Sequence, residues 1–291
     1  MLDYTLLGSL LALMTTLPLA WKWQLSIRRT AFVVVVLSLL SGLIIAFLGN
    51  MIEINAVLRP GFVWLLTLAA AFAILAYRFY RDPKRQAPDR DNVIVSPADG
   101  VVLYVHESRG GMLPVSIKHG HNYTLQELTR TPLQSEEAVV IGIGMSFLDV
   151  HVNRAPIAGR ISLQRHFPGR FGSLRLPEMV FENERATTVI EQKELQVAVV
   201  QIASRLVRQI ATFVREGQEV ALGQRIGVIR LGSQVDLVLP AGEDMTVTIT
   251  PGERVVAGES VVAVLKRLDA GAAERSGVLA SGEEGAWLVK S

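Results

Sequence analysis

The chain has 291 residues, half of them hydrophobic and only 19% charged, too apolar a balance for a purely soluble protein of this length. Cysteine is absent, which excludes disulfides, thiolate metal sites and cysteine nucleophiles. A formal net charge of +2 gives no electrostatic ground for binding nucleic acid.

Three stretches near the amino terminus carry no charge: Tyr4 to Trp21, Thr30 to Ile52 and Pro60 to Tyr77. A helix crosses the hydrocarbon core with about 20 apolar residues, so these stretches predict three transmembrane α-helices and a membrane anchor over residues 1–80. The first stretch lacks the basic start and small-residue cleavage site of a signal peptide; Asp3 is its only early charge. Lys22, Arg28 and Arg29 lie between the first two helices, and Arg78, Arg81, Lys84 and Arg85 follow the third. Only Glu53 and Arg59 lie in the other loop. The positive-inside rule then predicts an external amino terminus and a cytoplasmic chain after Tyr77, in the inner membrane of a cell. Trp21, Trp23, Tyr77 and Tyr80 fall at the helix ends where aromatic rings favour the headgroup layer, and the basic residues beside them attract anionic lipid.

Residues 81–92 are polar, hold Pro88 and read as a linker. Short β-prone runs follow: Val93–Val95, Val101–Val105, Ala138–Ile143, Thr187–Ile190, Gln196–Ile202, Arg225–Leu231, Val235–Leu239, Met245–Ile249 and Val261–Leu265. They predict one mostly β domain over residues 93–268, barrel-sandwich-like with some α. Leu206–Val214 reads either as a short helix capped by Ser204 or as a further strand. Arg215–Gly223 and Thr250–Gly258 resemble each other: a turn glycine, then valine, then a second glycine. Such units are similar to the hairpins of lipoyl-type domains, but no lysine stands at a tip to carry a cofactor. Residues 269–291, rich in Ala, Gly, Ser and Glu, are expected to be a disordered tail.

The apolar run Ile226–Pro240 contains one Gly232-Ser233 bond. A serine preceded by glycine attacks the carbonyl before it with little hindrance; the ordinary reading of the pair is a bulge or turn. Four polar clusters accompany it. Ser96-Pro-Ala-Asp99-Gly100 has the composition of a turn. Asp149, His151 and Asn153 alternate onto one face of an extended segment, followed by Arg154, and such a face is often only the solvent side. His166-Phe-Pro-Gly-Arg-Phe171 and Glu182-Asn-Glu-Arg185 read as a loop and a salt-bridged turn. A nucleophilic serine needs a base, for which His151 and His166 are candidates, and Asp99 is suited to orient a histidine. A rival reading is a zinc hydrolase built on His119-Gly-His121 with Asp149 and His151, although no His-Glu-x-x-His is present. A second rival is a membrane-anchored binding module without catalysis.

Phe79-Tyr-Arg-Asp-Pro83, Ser96-Pro-Ala-Asp-Gly100, Asp149-Val-His-Val-Asn-Arg154, His166–Phe171, Glu182–Arg185 and Leu231-Gly-Ser233, in this order, closely resemble the phosphatidylserine decarboxylase proenzymes. The shorter bacterial and archaeal branch is the nearer in wording: Gln234 departs from the Leu-Gly-Ser-Thr of the longer branch, and Arg154 stands where that branch has a second histidine. The resemblance implies that Ser233 attacks the Gly232 carbonyl, that an N-to-O acyl shift and elimination follow, and that residue 233 becomes a pyruvoyl group. A β chain, Met1 to Gly232, and an α chain would then remain associated. It further implies His151 as base with Asp99 as partner, and Asp149, Asn153, Arg154 and His166 in support. The pyruvoyl ketone, with neither pyridoxal phosphate nor metal, would condense with the serine headgroup of phosphatidylserine, release CO₂ and yield phosphatidylethanolamine. A related serine lipid such as archaetidylserine fits the same chemistry. Members of the family are often dimers, so a homo-oligomer is an expected state.

Overall fold

The computed structural model describes residues 1–23, 25–49, 51, 54–116, 122–174, 176–204, 209–230 and 233–266. Within it, α1 (Leu2–Lys22), α2 (Ile27–Leu48) and α3 (Arg59–Tyr80) are each long and apolar enough to cross a membrane. Ser26 caps α2 by accepting from Arg29 N, and Pro60 sits in the first turn of α3, where its missing N–H costs nothing. Small residues let the helices approach: a Cβ on Gly8 would stand 2.7 Å from Val63. Thr67 on α3 lies 3.4 Å from the Ser38 hydroxyl and 3.3 Å from that of Ser41, a polar contact with α2 inside an apolar bundle. Leu6, Leu10, Phe32, Phe47 and Phe72 face outward, as lipid-facing side chains do.

The remaining elements, in order, are β1 (Val93–Val95), β2 (Gly100–Glu107), β3 (Met112–Ser116), β4 (Asn122–Thr124), α4 (Leu125–Thr129), β5 (Ala138–Met145), β6 (Val152–Arg154), β7 (Gly159–Phe167), α5 (Met179–Glu182), β8 (Arg185–Gln192), β9 (Leu195–Ala203), β10 (Ile210–Thr212), β11 (Glu219–Val220), β12 (Arg225–Ile229), β13 (Ser233–Pro240), β14 (Met245–Val247), β15 (Arg254–Val255) and β16 (Val261–Leu265). Eight of the strands form a curled antiparallel sheet, a half-barrel, in the order β11-β7-β8-β9-β13-β5-β2-β15. Two three-stranded sheets, β1-β16-β14 and β10-β12-β6, accompany it. Val235, Leu237 and Leu239 of β13 join Ile141, Ile143, Val197 and Val199 in one core, which Ile94, Ile226, Ile229 and Val262 of the smaller sheets complete. Val238 points into a second core with Val140, Val200, Ile202, Tyr123 and Phe181. With both faces covered, β13 reads as a nearly continuous apolar run rather than an alternating one.

The similar units Arg215–Gly223 and Thr250–Gly258 have a common physical basis. Gly217 and Gly223 have φ of +83° and +73°, and Gly252 and Gly258 have +95° and +76°, a region costly for any residue with a Cβ. Each unit supplies one short edge strand, β11 beside Gly159–Arg160 and β15 beside Gly100–Val101. The duplication therefore closes the two opposite edges of the large sheet. The described part of Leu206–Val214 forms the strand β10, while residues 205–208 and the tail 269–291 lie outside the described residues.

Candidate active site

The site begins where β13 begins. Ser233 is the register partner of Met145 on β5 and of Ala203 on β9, so its backbone is held from both sides. Leu231, Gly232 and the Ser233 side chain lie outside the described residues. The approach to that junction is fixed by β12, whose last residue, Ile229, donates its N–H to the His151 carbonyl at 3.2 Å. His151 thus stands beside the backbone four residues before Ser233.

The His151 ring is buried and sits against Phe79 from the end of α3, with centroids 4.4 Å apart. Its Nδ1 lies 2.8 Å from the Asp149 carbonyl oxygen, which can only accept, so Nδ1 carries the proton. Nε2 is then a bare acceptor, buried and without a partner among the described residues. Burial pushes the imidazole pKa below its ordinary value, outweighing the nearby Asp149. The ring is therefore neutral at neutral pH and able to take a proton from a donor arriving at Nε2. Asp149 braces the loop: its carboxylate accepts from Ser146 N at 2.7 Å and pairs with Arg254 of β15.

Asn153 is also buried. Its Nδ2 donates to the Pro97 carbonyl at 3.4 Å, and its Oδ1 accepts from Gln201 Nε2 at 2.8 Å. Asp99 engages elsewhere: both carboxylate oxygens receive Arg85, at 2.8 and 3.1 Å, and one receives Ala257 N at 2.8 Å. No hydrogen bond joins Asp99 to His151 among the described residues; the Asp149 main chain holds the ring instead. Arg154 turns from the cluster to the segment after α3, donating to Asp82 at 2.9 Å, to the Pro83 carbonyl at 3.0 Å and to the Gly223 carbonyl at 3.0 Å.

His166 is half exposed and pairs with Glu184 at 2.8 Å. It stands on β7, three strand spacings or about 14 Å from β13 in the order of the sheet. The Glu182–Arg185 turn acts on the site through Ala203, the neighbour of Ser233: Asn183 Nδ2 donates to the Ala203 carbonyl at 2.9 Å, and Ala203 N donates to the Glu184 carbonyl at 2.9 Å. His119 and His121 lie outside the described residues, and no metal-holding group of three or more acidic, His or Cys side chains occurs among the described ones.

Sequence reasoning passed over three residues. Gln201 and Asp236 interrupt apolar strands and are both fully buried; a lone polar residue in such a run is the signal that marks them. Asp236 accepts from the Tyr104 hydroxyl at 2.9 Å and from Gln234 Nε2 at 2.7 Å, and burial pushes its carboxyl up to about 6. Phe79 opens one of the matching motifs, but an aromatic residue at the end of an apolar helix gives no local sign that it packs on a histidine.

A β domain joined to three helices apolar enough to cross a membrane, with a neutral histidine buried against the end of the last helix, has the form of a membrane-associated enzyme. The family model described as phosphatidylserine decarboxylase matches residues 72–263. A Methanocaldococcus jannaschii protein, provisionally named an archaetidylserine decarboxylase proenzyme, is 42% identical over 191 residues, covering 66% of this chain and 89% of its own. Phosphatidylserine decarboxylase proenzymes of Mycolicibacterium gilvum and Geobacter metallireducens are 39% identical over 203 residues and 32% identical over 229. These matches cover 69% and 78% of this chain and 79% and 91% of theirs. The chain belongs to the phosphatidylserine decarboxylase family.

Proposed function

We propose that this chain is a self-processing decarboxylase that cuts itself between Gly232 and Ser233 and converts phosphatidylserine to phosphatidylethanolamine. The observation that carries the reading is His151: buried, neutral, its Nδ1–H committed to a carbonyl, its Nε2 without a partner among the described residues, and its main-chain carbonyl bonded to Ile229, four residues before Ser233. In the cutting step His151 takes the proton of the Ser233 hydroxyl as Oγ attacks the Gly232 carbonyl. A junction shielded from water would favour elimination over hydrolysis of the ester. The residues present fit a pyruvoyl group at position 233: its backbone is held by β5 and β9, and a buried neutral histidine is bonded to the strand that leads to it. Such a ketone supplies an electron sink for the departing carboxylate. His151, having taken a proton from the headgroup amine as that amine adds at position 233, would return it to the substrate carbon once CO₂ has left. Asp149 and Asn153 hold the His151 segment, and Arg154 and Asp99 tie it to the chain leaving α3.

After cutting, β13 would belong to the α chain while β5 and β9 belong to the β chain, so the two ladders keep the fragments together. The basic residues beside α1, α2 and α3 support a cytoplasmic β domain. The likeness to the M. jannaschii protein supports a second lipid, archaetidylserine, at the same site, since the serine headgroup is shared. Denaturing gels test the reading: the wild type should give two fragments, ending at Gly232 and beginning at residue 233, and Ser233→Ala should give one band. The α chain should be lighter by one ammonia than a chain beginning with serine. A wild-type chain that stays whole refutes the proposal, and assays on both lipids decide the backbone preference.

A further inference from the structure

Two buried acceptors near the start of β13 have no hydrogen-bond partner among the described residues: His151 Nε2 and Gln201 Oε1. The first is the base already described. The second has no part in that scheme, although buried polar atoms are rarely left unpaired in folded proteins.

The orientation of the Gln201 amide is set by its neighbours. Pro97 O can only accept, so the Asn153 atom facing it is Nδ2 and Asn153 Oδ1 must accept in turn. The Gln201 atom 2.8 Å from that oxygen is therefore Nε2, and Oε1 is left over. Gly227 of β12 lies against the same amide: a Cβ there would stand 2.9 Å from Nε2 and 3.2 Å from Oε1. Register places the residue near the junction. Gln201 pairs with Val235 and Ala203 pairs with Ser233, so Gln201 is the diagonal neighbour of position 233. Diagonal neighbours are about 7–8 Å apart, within reach of a long side chain.

We propose that Gln201 is a substrate-binding residue whose Oε1 accepts an N–H from the primary amine of the lipid headgroup as that amine approaches position 233. The inference rests on the proposed decarboxylation. A primary amine brings two N–H donors, or three when protonated, into a site from which water is largely excluded, and each needs an acceptor. Gln201 supplies one without a charge, so it favours the protonated form, which cannot attack a carbonyl, less than a carboxylate in its place would. It also favours primary amines over quaternary ones, which have the charge but no donor.

The test uses the full-length, cut protein in detergent, titrated with lysophosphatidylethanolamine and with lysophosphatidylcholine. Neither carries the carboxylate, so binding is read without turnover. The wild type should prefer the primary amine. Gln201→Met, of similar shape but without the acceptor, should lose about tenfold or more of that preference while gels still show complete cutting. Gln201→Glu retains an acceptor oxygen and should keep the preference. Retention by Gln201→Met, or loss by Gln201→Glu, overturns the proposal. So does a Gln201→Met chain that stays whole, which would assign the amide to the cutting step. Failure of the parent reading looks different: the wild type itself would not cut, or would form no amine product.

Discussion

Asp236 is a carboxyl placed where ionisation is costly, and its removal should be visible in the pH dependence of stability. It is fully buried, three residues after Ser233, with Tyr104 and Gln234 as hydrogen-bond donors. Burial holds it at about 6 in the folded chain, against about 3.9 when unfolded. The folded state thus prefers the protonated form. Its contribution is fully present below about pH 4 and is lost as pH rises through 6, a total of about 3 kcal/mol. Between pH 4.5 and pH 7.5 the loss is about 2 kcal/mol, since about 1 kcal/mol has already gone at the lower pH. In a domain of this size that corresponds to about 4–8 °C in melting temperature.

The perturbation is Asp236→Asn, made in the Ser233→Ala chain so that a single covalent species melts. Asparagine keeps an acceptor for the Gln234 amide and cannot ionise. Melting in detergent, followed by the β-sheet circular dichroism band, should show the asparagine variant gaining about 4–8 °C on its parent between pH 4.5 and pH 7.5. Comparing the two chains at each pH cancels every other titrating group. A difference that does not change with pH would refute the argument and show that Asp236 is as easily ionised in the fold as outside it.

Phe79→Ala should admit water to the His151 ring and raise its depressed pKa, moving the acid limb of the pH–rate profile upward; Phe79→Leu should move it less, and an unchanged profile would remove Phe79 from the site. Gly142→Ala should destabilise the chain by about 1–3 kcal/mol, because the new Cβ would meet the Tyr104 ring 2.6 Å away, and a melting curve at one pH suffices to check it. Removing Asp82 leaves the buried Arg154 without its counter-charge, and removing Arg154 leaves Asp82 with Arg225 alone. Limited proteolysis of residues 81–92 should accelerate in both single variants, and the double variant should fall short of their sum.

The three helices were legible because a charge-free stretch of that length has few other uses. Their ends were not: α2 begins at Ile27 and α3 at Arg59, since long basic side chains can extend to water from a helix end. β13 was legible as an apolar run, whereas β7 was missed. Its nine residues carry Arg160, Gln164, Arg165 and His166, and only Ile161 among them is buried, so no clean alternation survives. Site residues were legible by type and by wording, but not by partnership. Nothing local shows that Asp236 meets Tyr104, 132 residues away, or that Asp99 is held by Arg85, because sheet register creates such pairs and register is not written in either segment.

The segment expected to be a linker shows how much that limit matters. Residues 81–92 have the composition of a flexible connection, yet the structure pins their first half at every charged group but one. Arg81 donates to the Leu148 carbonyl, Asp82 pairs with Arg154 and Arg225, and Arg85 holds Asp99 and Glu259. Trp23, between α1 and α2, stacks on Phe147, which touches Phe79 in turn. The base of the site therefore lies against the last turn of α3, within about 5 Å along that helix of its end. If that helix end lies at the headgroup layer, as the proposed orientation has it, His151 would stand at the depth of a lipid's serine. On the proposed function, the same contacts would make the anchor part of the site: detaching α3 and the segment after it should expose the imidazole and free Asp99 from Arg85.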